Sequence, residues 1–398
     1  MAYSSPQLSS AASTRSSQSS QYFPLKDLVN SQVVAPYASS YYQQHTLAPN
    51  RINLCDSQLS EEDWSRHAFA LGMPSRDIHK PHPDARRFAQ KLQRKSRISN
   101  KAVTELLVPL IQSATQSSKK LQIKTDTTFH PDAVPNGSPV GRLSNSQNAP
   151  WNMPLPVPKP NITVGFSSKN FTQHELELQD GIISNAHGEP CNLGKISQPI
   201  VGNNALLWPF LTVDVQSDSL EAAQNASAGS GSTCNNALAL LAEAAEESRV
   251  RRHGRNAFWQ SRTAVHGFSV SVHNDSEGNG KVATLNLHIS EGGLSHSCAP
   301  IRSYALCNEH DVECLLSRLG SIFIWAENCR LQQIGTLLAN LDALVQLESG
   351  REHLSDRFTN PDLDMATSYG ESLSPGRSKF GVIKNVLTQV SPRWIRVS

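Results

Sequence analysis

The sequence predicts an α/β protein, a central sheet flanked by helices with a disordered tail at each end. Three observations carry that expectation. Four short runs alternate apolar and polar residues at period two: ITVGF at 162–166, LTVDVQ at 211–216, VHGFSVSV at 265–272 and VATLNLHI at 282–289. Two long helical stretches accompany them, one from about 219 to 247 containing LALLAEAAEE and one from about 309 to 347. The first fifty residues hold nine serines in their first twenty positions. Such a segment buries too little apolar surface to offset its ordering entropy.

In chain order, residues 1–50 read as a disordered Ser/Gln/Tyr-rich tail. A first helix starts at Ser60, because SEED sets an acid three positions after a Ser cap, with Trp64 and Phe69 following. A second spans roughly 84–95. A third begins after Ser99, where Ala102, Val103, Leu106, Leu107 and Leu110 recur at helical spacing, and Pro109 kinks it or marks its last turns. Residues 58–115 thus form a helical N-terminal part of the domain, and 116–150, punctuated by Ser, Asn, Pro and Gly, a linker or long loop. The core lies in 151–348. The segment 349–398 reads as a loosely ordered tail.

The bulk numbers narrow the function. A chain of 398 residues suffices for one large or two ordinary domains. With 18% charged residues and a net charge of +2, no global field points to nucleic acid or membrane. The seven cysteines are odd in number and scattered, which reads as reduced intracellular thiols. The N-terminus lacks the basic-then-apolar pattern of a secretory signal, so the expectation is an intracellular protein, nuclear or cytoplasmic, in which the sequons at Asn161, Asn170 and Asn225 are chance matches. No apolar run approaches the roughly 18 residues of a membrane helix, so no membrane partner is expected.

Three segments carry a resemblance: PKPNITVGF at 158–166, PFLTVDVQSD at 209–218 and the small-residue run AQNASAGSGSTCNNAL at 223–238. The block from Trp151 to the helix ending near Leu347, about half the chain, resembles an uncharacterised fungal domain family of unknown function whose members look like PD-(D/E)XK nucleases. The resemblance implies a restriction-endonuclease-like mixed sheet. In that superfamily one strand supplies an Asp and the next an acid, any residue, then a Lys. The carboxylates hold Mg²⁺, which activates a water. Here Asn161 takes the first Asp position, Asp214 the acidic position and Gln216 the lysine position. Asn161 brings no negative charge and Gln216 no positive one. Asp218, four residues beyond Asp214 on the same strand face, leaves a rearranged acidic site conceivable, with Asp214 and Asp218 as metal ligands. No cofactor is expected, and Mg²⁺ only if that site is active.

Other constellations are weaker. GSGS at 229–232 has no Lys-Ser/Thr pair after it, so it reads as small residues that let a helix approach the sheet, not as a phosphate loop. Cys298, Cys307, His310 and Cys314 lack the paired spacing of zinc knuckles and read as free thiols. Arg86, Arg87, Lys91, Arg94, Lys95, Arg97 and Lys101 fall in sixteen positions without an acid, and Arg249, Arg251, Arg252 and Arg255 follow the long helix. These are candidate phosphate contacts or an import signal, against the plain reading of solvated helix faces. No G-x-S-x-G elbow supports a Ser-His-Asp triad. His174, with Glu175 and Glu177, reads as a surface strand or loop.

Three functional readings follow. The first is an inactive nuclease-like domain acting as a binding module, with nucleic acid as the candidate partner. The second is an active Mg²⁺-dependent nuclease using Asp214 and Asp218. The third is a protein-interaction module with no nucleic-acid role.

Overall fold

The computed structural model describes residues 37–39, 41–71, 81–94, 98–115, 118–135, 154–184, 190–199, 206–216, 219–253, 264–275, 280–291 and 295–359. All of them lie in one compact unit that begins at Ala35. The expectations for residues 1–36, 136–153 and 360–398, and for Lys95, Arg97, Asp218 and Arg255, fall outside the described residues.

The predicted α/β class holds, and the sheet is mixed. Its seven strands run in the order β1 (Ile52–Leu54), β9 (Ser295–Ala305), β8 (Lys281–Glu291), β7 (Val265–Asn274), β6 (Leu206–Val215), β3 (Ile162–Ser167) and β2 (Leu121–Thr125). Strands β2, β3 and β6 form an antiparallel set, as do β7, β8 and β9. The two sets join through a parallel β6–β7 pair. The crossover between them is the long helix α7 (Leu220–His253), as a parallel connection requires. A separate two-stranded ribbon, β4 (Ile182–Ser184) with β5 (Pro190–Asn192), lies between β3 and β6 in sequence.

Helices precede and follow the sheet. Ser60 and Ser99 cap α1 (Glu61–Arg66) and α4 (Asn100–Ala114) as their sequence signals require, each accepting from a main-chain N–H three residues on. Between them lie the short α2 (Ala68–Leu71) and α3 (Pro83–Gln93). Pro109 sits inside α4, which continues past it. His174 lies in a helix, α5 (Gln173–Gln179), and not in a strand or loop. Thr172 and Glu175 form a capping box there, which stabilises a helix start against an extended chain. After α6 (Leu193–Ser197) and α7, the predicted C-terminal helix is two helices, α8 (Glu309–Trp325) and α9 (Leu331–Thr359), joined by a π-helical turn at Ala326–Arg330.

Five strands lie where none was expected, of which β1, β4 and β5 are three residues long. Strand β2 occupies the segment assigned to a linker; its Leu121 and Ile123 pair with Phe166 and Val164. Strand β9 is masked in sequence by Pro300 and by a register shift at its β8 partners Leu285 and Asn286. The chain also forms short helical turns at Gln43–Asn50, inside the segment read as a tail, and α9 extends to Thr359, beyond the expected boundary of the core.

The sheet is two-faced. Paired across β6, β7 and β8, Leu211, Val213 and Val215 meet Phe268, Val270 and Val272, which meet Leu287, Leu285 and Ala283. All nine are buried in the main apolar core with Leu315, Leu319, Ile322 and Phe323 of α8. Trp325 packs its ring edge-on against Phe268 at 5.4 Å and Phe210 at 6.4 Å. On the opposite face Thr212 and Asp214 meet Ser269 and Ser271, which meet Asn286 and Thr284. That face is covered by α7, and these polar residues are buried too. A bulge in β6 opposite Gly165 puts Trp208 at φ 48°, and a Cβ on Gly165 would lie 2.7 Å from the Leu207 carbonyl oxygen, so glycine is required there. No helix among the described residues is long and apolar enough to cross a membrane.

Candidate functional site

Asn161 and Asp214 meet where β3 begins and β6 ends. The two strands are antiparallel with Ile162 opposite Val213, so extending that register by one residue sets Asn161 beside Asp214. Asn161 is held by three bonds. Its N–H donates to the Val213 carbonyl at 2.9 Å, its carbonyl accepts from the Asp126 N–H at 3.1 Å, and its side-chain Oδ1 accepts from the Val215 N–H at 2.7 Å. The amide therefore extends the β3–β6 ladder past the last paired residue of β3.

Asp214 lies beneath α7 and is 4% exposed. Its Oδ1 accepts from the Ser230 hydroxyl at 3.1 Å, while Oδ2 has no partner. Burial pushes the carboxyl up to about 7, and the Ser230 bond only partly opposes that. Tyr37 approaches from the N-terminal segment; its phenol is pushed up to about 12 by burial and by the Asp214 charge. Its carbonyl accepts from Asn225 Nδ2 of α7 at 2.8 Å. Gln216 follows β6, half-buried, with its N–H donating to the Val272 carbonyl at 2.8 Å. The fold thus brings Asn161, Asp214 and Gln216 to one end of two neighbouring strands; Asp218 lies outside the described residues.

These side chains do not fit a Mg²⁺ site of the nuclease kind. Asp214 is a single buried carboxylate, and the Asn161 oxygen already accepts a main-chain bond. Among the described residues no three His, Cys, Asp or Glu side chains gather where an ion could be held.

Around Asp214 the polar face of the sheet and the small face of α7 form a buried polar layer that sequence reasoning did not assemble. Ser227 donates to Ser269 at 2.6 Å, and Asn286 Nδ2 lies 3.3–3.4 Å from the hydroxyls of Ser227, Ser269 and Ser271. Ser269 also lies 2.7 Å from His288 Nε2. Asn235 of α7 donates to the Val265 and His288 carbonyls at 3.2 and 3.0 Å. A Cβ on Gly231 would overlap the His288 ring, which explains the GSGS run: it is part of continuous helix, at its closest approach to the sheet. The signal was present in the polar positions of VHGFSVSV and VATLNLHI, but period-two alternation ordinarily marks a solvated face.

Burial holds the His288 imidazole neutral, down to about 3, with His296 adding to the effect. Ser269 and His288 form no hydrolytic triad: His288 Nδ1 has no partner to orient it, and both residues are fully enclosed. The thiols are all free. Cys314 lies 3.7 Å from His310 Nε2, and no zinc-binding group forms with Cys298 or Cys307.

The first basic cluster lies on α3. Ala85, Phe88, Ala89 and Leu92 are buried, and Arg86, Arg87, Lys91 and Arg94 are exposed on the opposite side. Arg86 lies 4.0 Å from Glu309, itself exposed; Arg87, Lys91 and Arg94 form no ion pair among the described residues. Lys101 is exposed on α4. Arg251 and Arg252 fall in the last turn of α7, where the helix dipole favours cations in any case.

No curated protein and no solved structure matches the chain. One family model does: residues 85–278, running from α3 through the end of β7 and taking in Asn161, Asp214 and the whole of α7, match DUF7924, a domain of unknown function.

Proposed function

We propose that the protein is a non-catalytic binding module on a nuclease-like core, and that it contacts nucleic acid through the exposed cationic side of α3. The observation that carries the reading is the pairing of a lapsed site with an intact basic face. The Asn161 oxygen is committed to the strand ladder and Asp214 is sealed under α7. Arg86, Arg87, Lys91 and Arg94 stand free of the core on one side of a helix. Four cations spaced along two to three helical turns suit consecutive phosphates, which position a protein on a nucleic acid without reading its sequence.

Fluorescence anisotropy with single- and double-stranded DNA and RNA tests this directly. Each phosphate contact contributes about −0.9 to the slope of log affinity on log salt for duplex DNA, so the Arg87→Ala/Lys91→Ala double variant should bind more weakly with a slope shallower by about 2. Both side chains are exposed, so the fold should survive the change. Binding that ignores both salt and these substitutions would favour a protein-interaction module. Cleavage in Mg²⁺ or Mn²⁺ that Asp214→Ala abolishes would sink the non-catalytic reading.

A further inference from the structure

The π-helical turn between α8 and α9 delivers Arg330 into the interior, where it is 1% exposed. Buried charges are ordinarily paired with an opposite charge. Arg330 is not: among the described residues it forms no ion pair. Two nitrogens of its guanidinium donate to main-chain oxygens, those of His266 at the start of β7 and Pro209 in β6, the latter at 3.3 Å. Its Nε has no partner at all. The Trp325 ring, 6.0 Å away, offers only a weak cation–π contact.

Two histidines belong to this neighbourhood: His266, whose carbonyl accepts from Arg330, and His67 beside it. The His266 ring is 5.0 Å from that of His67, and both are half-buried. Phe69, 54% exposed, stands 5.3 Å from His266 and forms the outer edge of the cluster. The Nδ1 atom of His67 is buried and, like Arg330 Nε, unpartnered. Burial first, then His67 and Arg330, push His266 down to about 4, so it is neutral beside the guanidinium. The carboxylate that bears on His67 is Asp63, and it is half-buried and paired with Arg66 at 3.0 Å. The cluster therefore offers nitrogen donors and a full positive charge with no anion of its own.

We propose that Arg330, His266 and His67 form a binding site for a small oxyanion, a phosphate or a carboxylate, approached from the side of the exposed Phe69. An oxyanion there supplies the missing countercharge and accepts from the unpartnered nitrogens, a charge-assisted arrangement that guanidinium favours. The bound anion also stabilises the imidazolium form of both histidines.

The test is an NMR titration of the full chain at fixed ionic strength, following the His67 and His266 ring resonances. Sodium phosphate and sodium acetate are the two probes and sodium chloride the control. Saturable movement with phosphate alone assigns a phosphoryl ligand; movement with acetate alone, or with both, assigns a carboxylate or a general oxyanion site. The His67→Asn variant, at a half-buried position whose loss leaves Arg330 in place, should bind the active probe about tenfold more weakly. If Arg330 serves only to tie the Pro209 and His266 carbonyls together, neither ring responds to either anion beyond the chloride control. That result, or equal affinity in the His67→Asn variant, overturns the proposal.

Discussion

The main-chain N–H of Val215 donates to the side-chain oxygen of Asn161 across 2.7 Å, so the amide acts as a piece of strand. Asn161→Ala removes that acceptor and leaves a half-buried N–H unsatisfied. The expected cost is about 1–3 kcal/mol, read from the shift of the urea midpoint at constant m-value. No change in midpoint would mean that water replaces the amide.

If the mapping of Asn161 and Gln216 onto the nuclease positions is right, the Asn161→Asp/Gln216→Lys double variant should gain Mg²⁺ affinity over the native chain. Isothermal calorimetry decides the point, and an unchanged heat of titration counts against the mapping.

Stability should rise with pH between about 4 and 6.5. His266, His288 and His296 are pushed down by burial to about 4, about 3 and about 4, so across this window the unfolded chain binds their protons and the folded chain does not. Asp214, pushed up to about 7, has the opposite sign: the folded state holds its proton while the unfolded state has lost it. Three against one leaves the unfolded state the better proton binder, so acid destabilises. Denaturant midpoints across the series check this, and a flat profile would show that the imidazoles are solvated.

Above pH 7 the Asp214 contribution is purely unfavourable, because the folded state then carries a charge sealed beneath α7. Asp214→Asn should therefore stabilise the protein at pH 8 by up to ~4 kcal/mol and change little at pH 4. Equal effects at both pH values would point to lost packing instead.

Gly231→Ala improves intrinsic helix propensity by about 1 kcal/mol, yet it should destabilise. The new methyl overlaps the His288 ring, which Ser269 and the packed sheet hold in place. A net loss of about 1–3 kcal/mol in thermal unfolding is expected. Stabilisation would show that the imidazole can turn aside.

What the sequence disclosed follows from which forces act locally. Ser60 and Ser99 announced their helices because a cap is a contact three residues long. The strands of β6, β7 and β8 were legible because their apolar residues alternate. Strand β2 was not, since LQIKT sits among loop residues and is a strand only because β3 offers it an edge. The position of Asp214 could be read from strand alternation, but its burial could not. The small-residue run at 229–232 announced a helix close to the sheet, but nothing in it marked the sheet face beneath as polar. His67, His266 and Arg330 come from three distant segments, and no local pattern connects them.

The layer between α7 and the sheet has a thermal consequence. Hiding hydrocarbon raises the heat capacity of unfolding, whereas hiding hydroxyls and amides lowers it. Ser227, Ser230, Asn235, Ser269, Ser271, Asn286 and His288 place the second kind of surface where most α/β proteins bury the first. The heat-capacity increment should accordingly fall below the usual ~12–15 cal/mol/K per ordered residue. A shallower stability curve follows, and α7 should hold to the sheet in the cold, where helices docked through hydrocarbon loosen first.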